Sequence, residues 1–507
     1  MARKKIISLA MAALLSVSSL WDASPAFYEG IVAKAKEDSQ TQTEKEVVAD
    51  AETVDASGYG LCDNIQDGTI LHCFDWKYSQ IKEELPNIAA AGFTSVQTSP
   101  AQKGDGQVWY WLYQPQTFSV QPNALGTKAE LQALCDEAEN YGIKVIVDVV
   151  ANHTRAIGDD GLGEDCYHKN GDAWYTDRTG ITMGRIGMPD LNSEHPTVQN
   201  KVKGYIEELK GIGVKGIRWD AAKHIALPSE NCQFWPVVTS VGLYNYGEIL
   251  VGPLESGGEG LMKEYTNYMS VTDSKYGQAI REAFEKGGVP SSIGNWSERG
   301  VAKNKLVYWA ESHDTYSNNG EYGKASQTYT QNEVDRAYAF LAAQSKATSL
   351  YFSRPSSTTK ESILAGQKGS THFTSKEVAE VNKFHNAMNG NKEYDVVKSD
   401  YAVVCREKGA VIVLSKSKSG QVTVNNGDIT KYYNEEGIDI FAYMKSLGFQ
   451  MNPSKFSNHY TFDDGEHITS QFEYMFSEFL KNYGLKYNVD YFRDVNYSQF
   501  IDDYTDK

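Results

Sequence analysis

The chain has 507 residues, 41% of them hydrophobic and 23% charged, an ordinary balance for a soluble globular protein with room for a large core. A formal net charge of -17 argues against a nucleic-acid partner, because phosphate binding needs a basic surface. Aromatic residues reach 12%, with 32 Tyr and 9 Trp, a supply of flat rings with polar edges that suits core packing or sugar faces.

At the N-terminus, Arg3, Lys4 and Lys5 precede an apolar run from Ile6 to Val17, and Ser24-Pro25-Ala26 offers a small-x-small cleavage site. That is the pattern of a secretory signal peptide over residues 1-26, which predicts a secreted, extracellular protein. The run is too short for a permanent membrane anchor and no later stretch is long enough, so no membrane span is expected in the mature chain. Residues 27-58 are polar and aperiodic and read as a flexible leader.

From about Gly68, short β-branched or aromatic runs alternate with amphipathic helical stretches. The predicted strands are Thr69–Phe74, Thr94–Thr98, Lys144–Val150, Gly216–Asp220, Tyr244–Glu248, Met269–Thr272, Leu306–Glu311 and Ser349–Ser353. Strands separated in this way by helices predict an α/β fold, a closed (β/α)8 TIM barrel over residues 59-397. Thr127-Lys-Ala-Glu130 is a capping box for a helix with Leu131, Leu134, Cys135 and Ala138 on one face and Gly142 as its stop. Pro196 opens another helix, with Val198, Val202, Tyr205, Ile206 and Leu209 as its buried stripe before Gly211. Between the third strand and this helix, residues 154-194 are rich in Gly and Asp and read as an inserted functional domain. Three short antiparallel strands are predicted within 398-430 (Tyr401–Arg406, Ala410–Leu414, Gln421–Val424), then a helical tail over 431-507 with Ile438, Phe441 and Met444 at helical spacing. The six cysteines show no zinc-ligand spacing, and Cys135 on its helix face reads as a free buried thiol.

Parallel barrels carry their active sites at the carboxyl ends of the strands. There the sequence places Asp148-Val-Val-Ala-Asn152-His153, Arg218-Trp-Asp220 followed by Lys223-His224, Glu248, and Glu311-Ser-His313-Asp314. Any one of these is more often a hydrogen-bonded loop residue or a structural ion pair; four strands ending alike is the signal. The period of two in a strand puts Arg218 and Asp220 on one face, with Ile217 and Trp219 on the other. A neighbouring guanidinium is expected to keep Asp220 ionised, as a nucleophile requires, while facing carboxylates push Glu248 toward the protonated form of a general acid. Such a pair on adjacent strands suits retaining glycoside hydrolysis. Asp314 is placed to hold sugar hydroxyls, and His153 and His313 to donate hydrogen bonds as charge develops.

The segments Asp148–His153, Gly216–His224, Tyr246–Leu250 and Glu311–Asp314, in this order, resemble the four signature regions of the α-amylase family, family 13 of the glycoside hydrolases, in its secreted bacterial branch. Met188-Pro-Asp190-Leu-Asn192 resembles the family's fifth region, and Trp109-Tyr-Trp-Leu-Tyr113-Gln114-Pro115 the aromatic segment after the second strand. The resemblance runs from about residue 60 to 425. It implies Asp220 as nucleophile, Glu248 as acid/base and Asp314 as transition-state stabiliser. Arg218 would orient Asp220, and Asp148 would brace it. It further implies sugar contacts by His153, His313, Tyr113, Gln114, Trp109 and Tyr110, with Lys223 and His224 on the leaving-group side and Trp111 and Leu112 packed in the core. A structural Ca²⁺ would be held by Asn152, Asp190 and the His224 carbonyl; Ser312 implies no chloride. The implied activity is an endo-acting α-amylase, a monomer acting on α-1,4-linked glucan polymers and oligosaccharides. Alternatives are a hydrolase or transglycosylase of other α-glucan specificity, or a non-catalytic glucan-binding protein.

Overall fold

A computed structural model of the chain describes residues 56–250, 258–285, 297, 300–318, 325–397, 401–406, 409–414, 421–424, 433–434 and 437–438. The chain divides into two units, a larger one of residues 53–286 with 290–390 and a smaller one that takes in everything from residue 391 onward. The larger is a closed barrel of eight parallel strands in chain order. These are β1 (Thr69–Cys73), β2 (Ser95–Thr98), β3 (Lys144–Val150), β4 (Gly216–Asp220), β5 (Tyr244–Gly247), β6 (Ser270–Thr272), β7 (Leu306–Trp309) and β8 (Thr348–Phe352), with β8 pairing back onto β1.

Each strand falls where the β-branched runs predict it, displaced by at most two residues at either end. Helices cover the barrel, so its strands are buried on both faces and read as almost unbroken apolar runs, as in Val-Ile-Val-Asp-Val-Val of β3. Ile70, Ile146, Tyr246, Val307, Trp309 and Leu350 form one buried cluster with Ile65. Asp148 in β3 and Arg218 and Asp220 in β4 are charged and nevertheless buried.

The capping box forms: Thr127 Oγ1 accepts from the Glu130 amide at 3.3 Å, and the Glu130 carboxylate accepts from the Thr127 amide at 2.8 Å. The helix Lys128–Asn140 then buries Leu131, Leu134, Cys135 and Ala138, as its spacing requires. The helix begun by Pro196 runs to Ile212, past the expected stop at Gly211. It ends where Gly213 adopts a left-handed φ of 108°, the conformation that terminates a helix and that Gly takes without a Cβ penalty. Residues 154–194 leave the barrel as expected. Isolated bridges from His153 to Asp190 and from Tyr167 to Leu191 tie them back, and they hold a short helix, Arg178–Thr182, that its sequence does not announce.

The smaller unit contains a four-stranded antiparallel sheet in the order β12-β11-β10-β9. Its strands are β9 (Glu393–Val397), β10 (Tyr401–Arg406), β11 (Gly409–Leu414) and β12 (Gln421–Val424). The barrel boundary expected at 397 is therefore wrong. Glu393–Val397 pairs antiparallel with β10, and the divide falls after Gly390, because Tyr-Asp-Val-Val has a strand's composition and finds its partner in the neighbouring hairpin. In the tail, Tyr433–Asn434 and Gly437–Ile438 pair as a small antiparallel ladder, which removes Ile438 from the expected helix. The expected signal peptide, the expected leader up to residue 55 and the rest of the expected tail lie outside the described residues. Cys62, Cys73, Cys135, Cys166 and Cys232 are free and buried. Among the described residues no helix is long and apolar enough to cross a membrane.

Directly after β1, Asp75 has a left-handed φ of 64° and is 1% exposed. Its Oδ1 accepts from Ser99 Oγ at 3.3 Å, whereas Oδ2 has no hydrogen-bond partner. Burial pushes the carboxyl up to about 8, with the Ser99 bond opposing. Because the folded value lies above the unfolded one, the native state is favoured fully only below about pH 4, and that advantage is lost as pH rises toward 8. Asp75→Asn is therefore expected to raise the melting temperature at pH 8, with the gain shrinking toward pH 4. Equal melting shifts at the two pH values would refute this.

Candidate active site

β3, β4 and β5 lie side by side, and their register places Arg218 beside both Asp148 and Tyr246. The ladder continues one residue further, where the Glu248 amide donates to the Trp219 carbonyl at 3.0 Å. Alternation sends Trp219 outward against Phe234 and Trp235, its Nε1 donating to Asn245, and leaves Arg218 and Asp220 on the other face.

Arg218 is the hub. Its Nη1 donates to both oxygens of Asp148 at 2.9 Å and to Asp220 Oδ1 at 2.7 Å, while Nη2 lies 3.0 Å from Glu248 Oε2. Asp220 and Glu248 thus sit on the two terminal nitrogens of one guanidinium, close enough to serve a single substrate unit. Glu248 Oε2 also accepts from the Ala221 amide at 3.0 Å, which the left-handed φ of 48° at Ala221 directs toward it. Asp314, in the first turn of the short helix His313–Ser317, feels the Glu248 charge, accepts from Asn318 Nδ2 at 2.9 Å and lies 3.4 Å from His313 Nε2.

One cation faces four carboxyls here, Asp148 and Asp220 buried and Glu248 and Asp314 partly so, and protons must therefore remain in the cluster near neutrality. Burial raises Asp148 to about 6 and Asp220 to about 7, Arg218 pulling both down and Glu248 pushing both up. For Asp314, burial and then the Glu248 charge lift the carboxyl well above the ordinary range. The expectation that Arg218 keeps Asp220 low is corrected: its pull is present, but desolvation in the closed barrel mouth outweighs it.

Around the carboxyls lies a cavity of about 530 Å³ lined by Asp220, Glu248 and Asp314 and by the expected Trp109, Tyr110, Tyr113, Gln114, His153, Lys223, His224 and His313. Tyr113 Oη donates to Asp148 at 2.9 Å, and its ring stacks on His313 with centroids 5.0 Å apart. His153 is held by the Tyr113 carbonyl at 2.9 Å and His224 by that of Ile181 at 2.8 Å. Burial lowers both imidazoles to about 4 and holds His313 well below its ordinary value, so all three are neutral at pH 7. Trp109 is only 4% exposed and meets Tyr113 edge-on, so it supports the aromatic wall as well as lining it. As expected, Leu112 packs in the core. Also on the wall are Tyr175, Ile186, Met188, Leu250, Lys275 and Gln278, which sequence reasoning missed. They sit on loops and a helix start whose approach to the barrel mouth leaves no local pattern.

Asn152 and Asp190 come together, Asn152 Nδ2 lying 3.1 Å from Asp190 Oδ1. Two unforeseen neighbours complete this pocket: His168 bridges Asp190 Oδ2 at 2.6 Å and Glu194 Oε2 at 2.9 Å. Burial works against the His168 charge, but the bonds to Asp190 and Glu194 prevail and lift it to about 9.

Over 396 residues, 73% of this chain, the sequence is 33% identical to an α-amylase of Clostridium acetobutylicum, of which 49% is covered. It is 31% identical over 389 residues to an α-amylase of Butyrivibrio fibrisolvens, covering 66% of this chain and 40% of the relative. Over most of its length the chain is thus similar to α-amylases. It spans about half or less of the length of these two curated relatives, but 85% of a 26% identical α-amylase of Aeromonas hydrophila. No family model matches. Among solved structures, the fold is shared with α-amylase I of Eisenia fetida (TM-score 0.57, 19% identity, 70% of this chain and 84% of that one). It is also shared with an α-amylase of Geobacillus thermoleovorans solved with acarbose (TM-score 0.53, 17% identity, 69% and 87%).

Proposed function

We propose that the protein is a secreted, endo-acting α-amylase that hydrolyses α-1,4-glucosidic bonds in starch-like chains with retention of configuration. The observation that carries this reading is the attachment of Asp220 and Glu248 to the two ends of the Arg218 guanidinium, with Asp314 on the same cavity. Retention needs two carboxyls about 5–5.5 Å apart, one to attack and one to donate and later accept the proton. In this reading Asp220 attacks the anomeric carbon while Glu248 protonates the departing oxygen. Water, deprotonated by Glu248, then releases the sugar from Asp220. Asp314 and the neutral His153 and His313 bind the hydroxyls of the distorted sugar, and Tyr113, Gln114, Trp109 and Tyr110 carry the chain on one side, Lys223 and His224 on the other. The solved relative bound to acarbose supports an oligosaccharide substrate. Products from soluble starch test the reading: mixed short maltooligosaccharides from the first minutes, with no cleavage of pullulan, are expected. Release of a single product from chain ends, or cutting of pullulan, would sink it.

The cofactor assigned to the insertion is Ca²⁺. Turning the Asn152 amide so that its carbonyl faces Asp190 Oδ1 gives two hard oxygen donors, with the His224 carbonyl as a third. When bound, the ion would supply a crosslink between the insertion and the end of β3. Excess chelator is expected to lower the melting temperature by several degrees and calcium to restore it, since a ligand held only by the folded state stabilises it. A melting curve indifferent to both would remove calcium from this account.

A further inference from the structure

Between the insertion and the acid/base Glu248 runs a chain of contacts whose first member is Arg178. We infer that Arg178, at the start of the short helix in the insertion, is a positioning residue for Glu248 and for the leaving-group side of the site; this rests on the hydrolase reading above. Its guanidinium is committed on every edge. Nε and Nη2 grip both oxygens of Glu230 at 2.8 and 2.9 Å, Nη1 donates to the Lys223 carbonyl at 2.9 Å, and Nη2 also reaches Tyr265 Oη at 3.0 Å. Tyr265 Oη in turn donates to the Lys223 and Ile225 carbonyls at 3.2 and 2.8 Å, and Glu230 accepts from the Leu227 amide at 2.9 Å. Three groups thus pin one segment, residues 221–227, from the side away from the substrate.

That same segment faces the reaction with its amides. Ala221 donates to the Glu248 carboxylate at 3.0 Å, and Lys223 donates to the Glu248 main-chain carbonyl at 3.3 Å. A second strut runs alongside, from the His224 ring to the Ile181 carbonyl of the insertion helix. A planar fork that holds a carboxylate and a carbonyl together cannot be imitated by an ammonium, which is a point charge without fixed donor directions. Loosening the segment would take the Ala221 and Lys223 amides from Glu248, leaving its carboxylate on Arg218 alone, whereas Asp220 keeps its place on β4 and its bond to Arg218. The inserted domain then tunes proton transfer to the leaving group rather than serving only as a wall of the cleft.

The experiment compares two substrates in Arg178→Lys and in Glu230→Gln, using the soluble, folded fraction of the full chain. One is a maltooligosaccharide, whose departing sugar needs protonation; the other is an aryl α-maltotrioside with a nitrophenol leaving group, which needs little. Cleavage of the oligosaccharide is expected to fall about tenfold in kcat/KM, a fraction of what a general acid supplies, with the aryl substrate nearly unchanged and the alkaline limb of the pH profile displaced. Equal losses on both substrates with an unmoved pH profile would reduce Arg178 to a structural clamp and overturn the inference, as would no loss in either variant. A wild-type chain inert toward both substrates would instead bring down the hydrolase reading, and this one with it.

Discussion

Glu248→Gln is expected to abolish hydrolysis, by on the order of 10³-fold or more, while leaving maltooligosaccharide binding intact. The fold should not notice the change. Both contacts that anchor the Glu248 side chain, the Ala221 amide at 3.0 Å and Arg218 Nη2 at 3.0 Å, fall on the same oxygen, Oε2. A glutamine can present its carbonyl oxygen there and turn its NH2 toward Asp314, so the cluster keeps its hydrogen bonds and loses only a transferable proton. Initial rates on amylose together with calorimetric binding of a maltooligosaccharide decide the matter. Hydrolysis near the wild-type rate would remove Glu248 from the acid/base role. Lost binding with an intact fold would show that it mainly holds the sugar.

The largest loss of stability is expected from Arg218→Met. This side chain touches Asp148 and Asp220, both buried, and the partly buried Glu248. Removing the cation from a buried ion cluster leaves uncompensated carboxylates and costs about 3–5 kcal/mol. The pH dependence carries a sign. Asp148 at about 6 and Asp220 at about 7 already titrate above the unfolded carboxylate range, so each favours the fold most when protonated, and that advantage is lost as pH rises through these values. Without Arg218 their folded values move higher still. The deficit of the variant should therefore be largest at neutral to alkaline pH and narrow toward pH 4. Denaturant melts at pH 5 and pH 8 measure it; a deficit that is constant across this range would mean that Arg218 acts by packing alone.

The barrel and its mouth were legible in the sequence because they depend on local periodicity. Runs such as Lys144–Val150 are strands wherever they occur next to helices of that length, and Arg218 and Asp220 share a face because a strand repeats every two residues. Capping box and stripe placed two of the outer helices for the same reason. The end of the barrel was misread because β9 is a strand in either reading, and only its partner, the hairpin of β10 and β11, says which sheet it joins.

What the residues alone determined, then, is which groups arrive at one end of the barrel: four acids, an arginine, histidines and an aromatic run, carried by the strand ends and the loops behind them. Only the tertiary structure decided how they behave there. It surrounds four carboxyls with one guanidinium and little water, so that Asp220 is lifted to about 7 where sequence logic expected it to be lowered. It also brings His168 to Asp190 and Arg178 to Lys223, contacts between residues 22 and 45 positions apart. Desolvation and contacts across such distances depend on what surrounds a group in space, and periodicity along the chain carries no record of that.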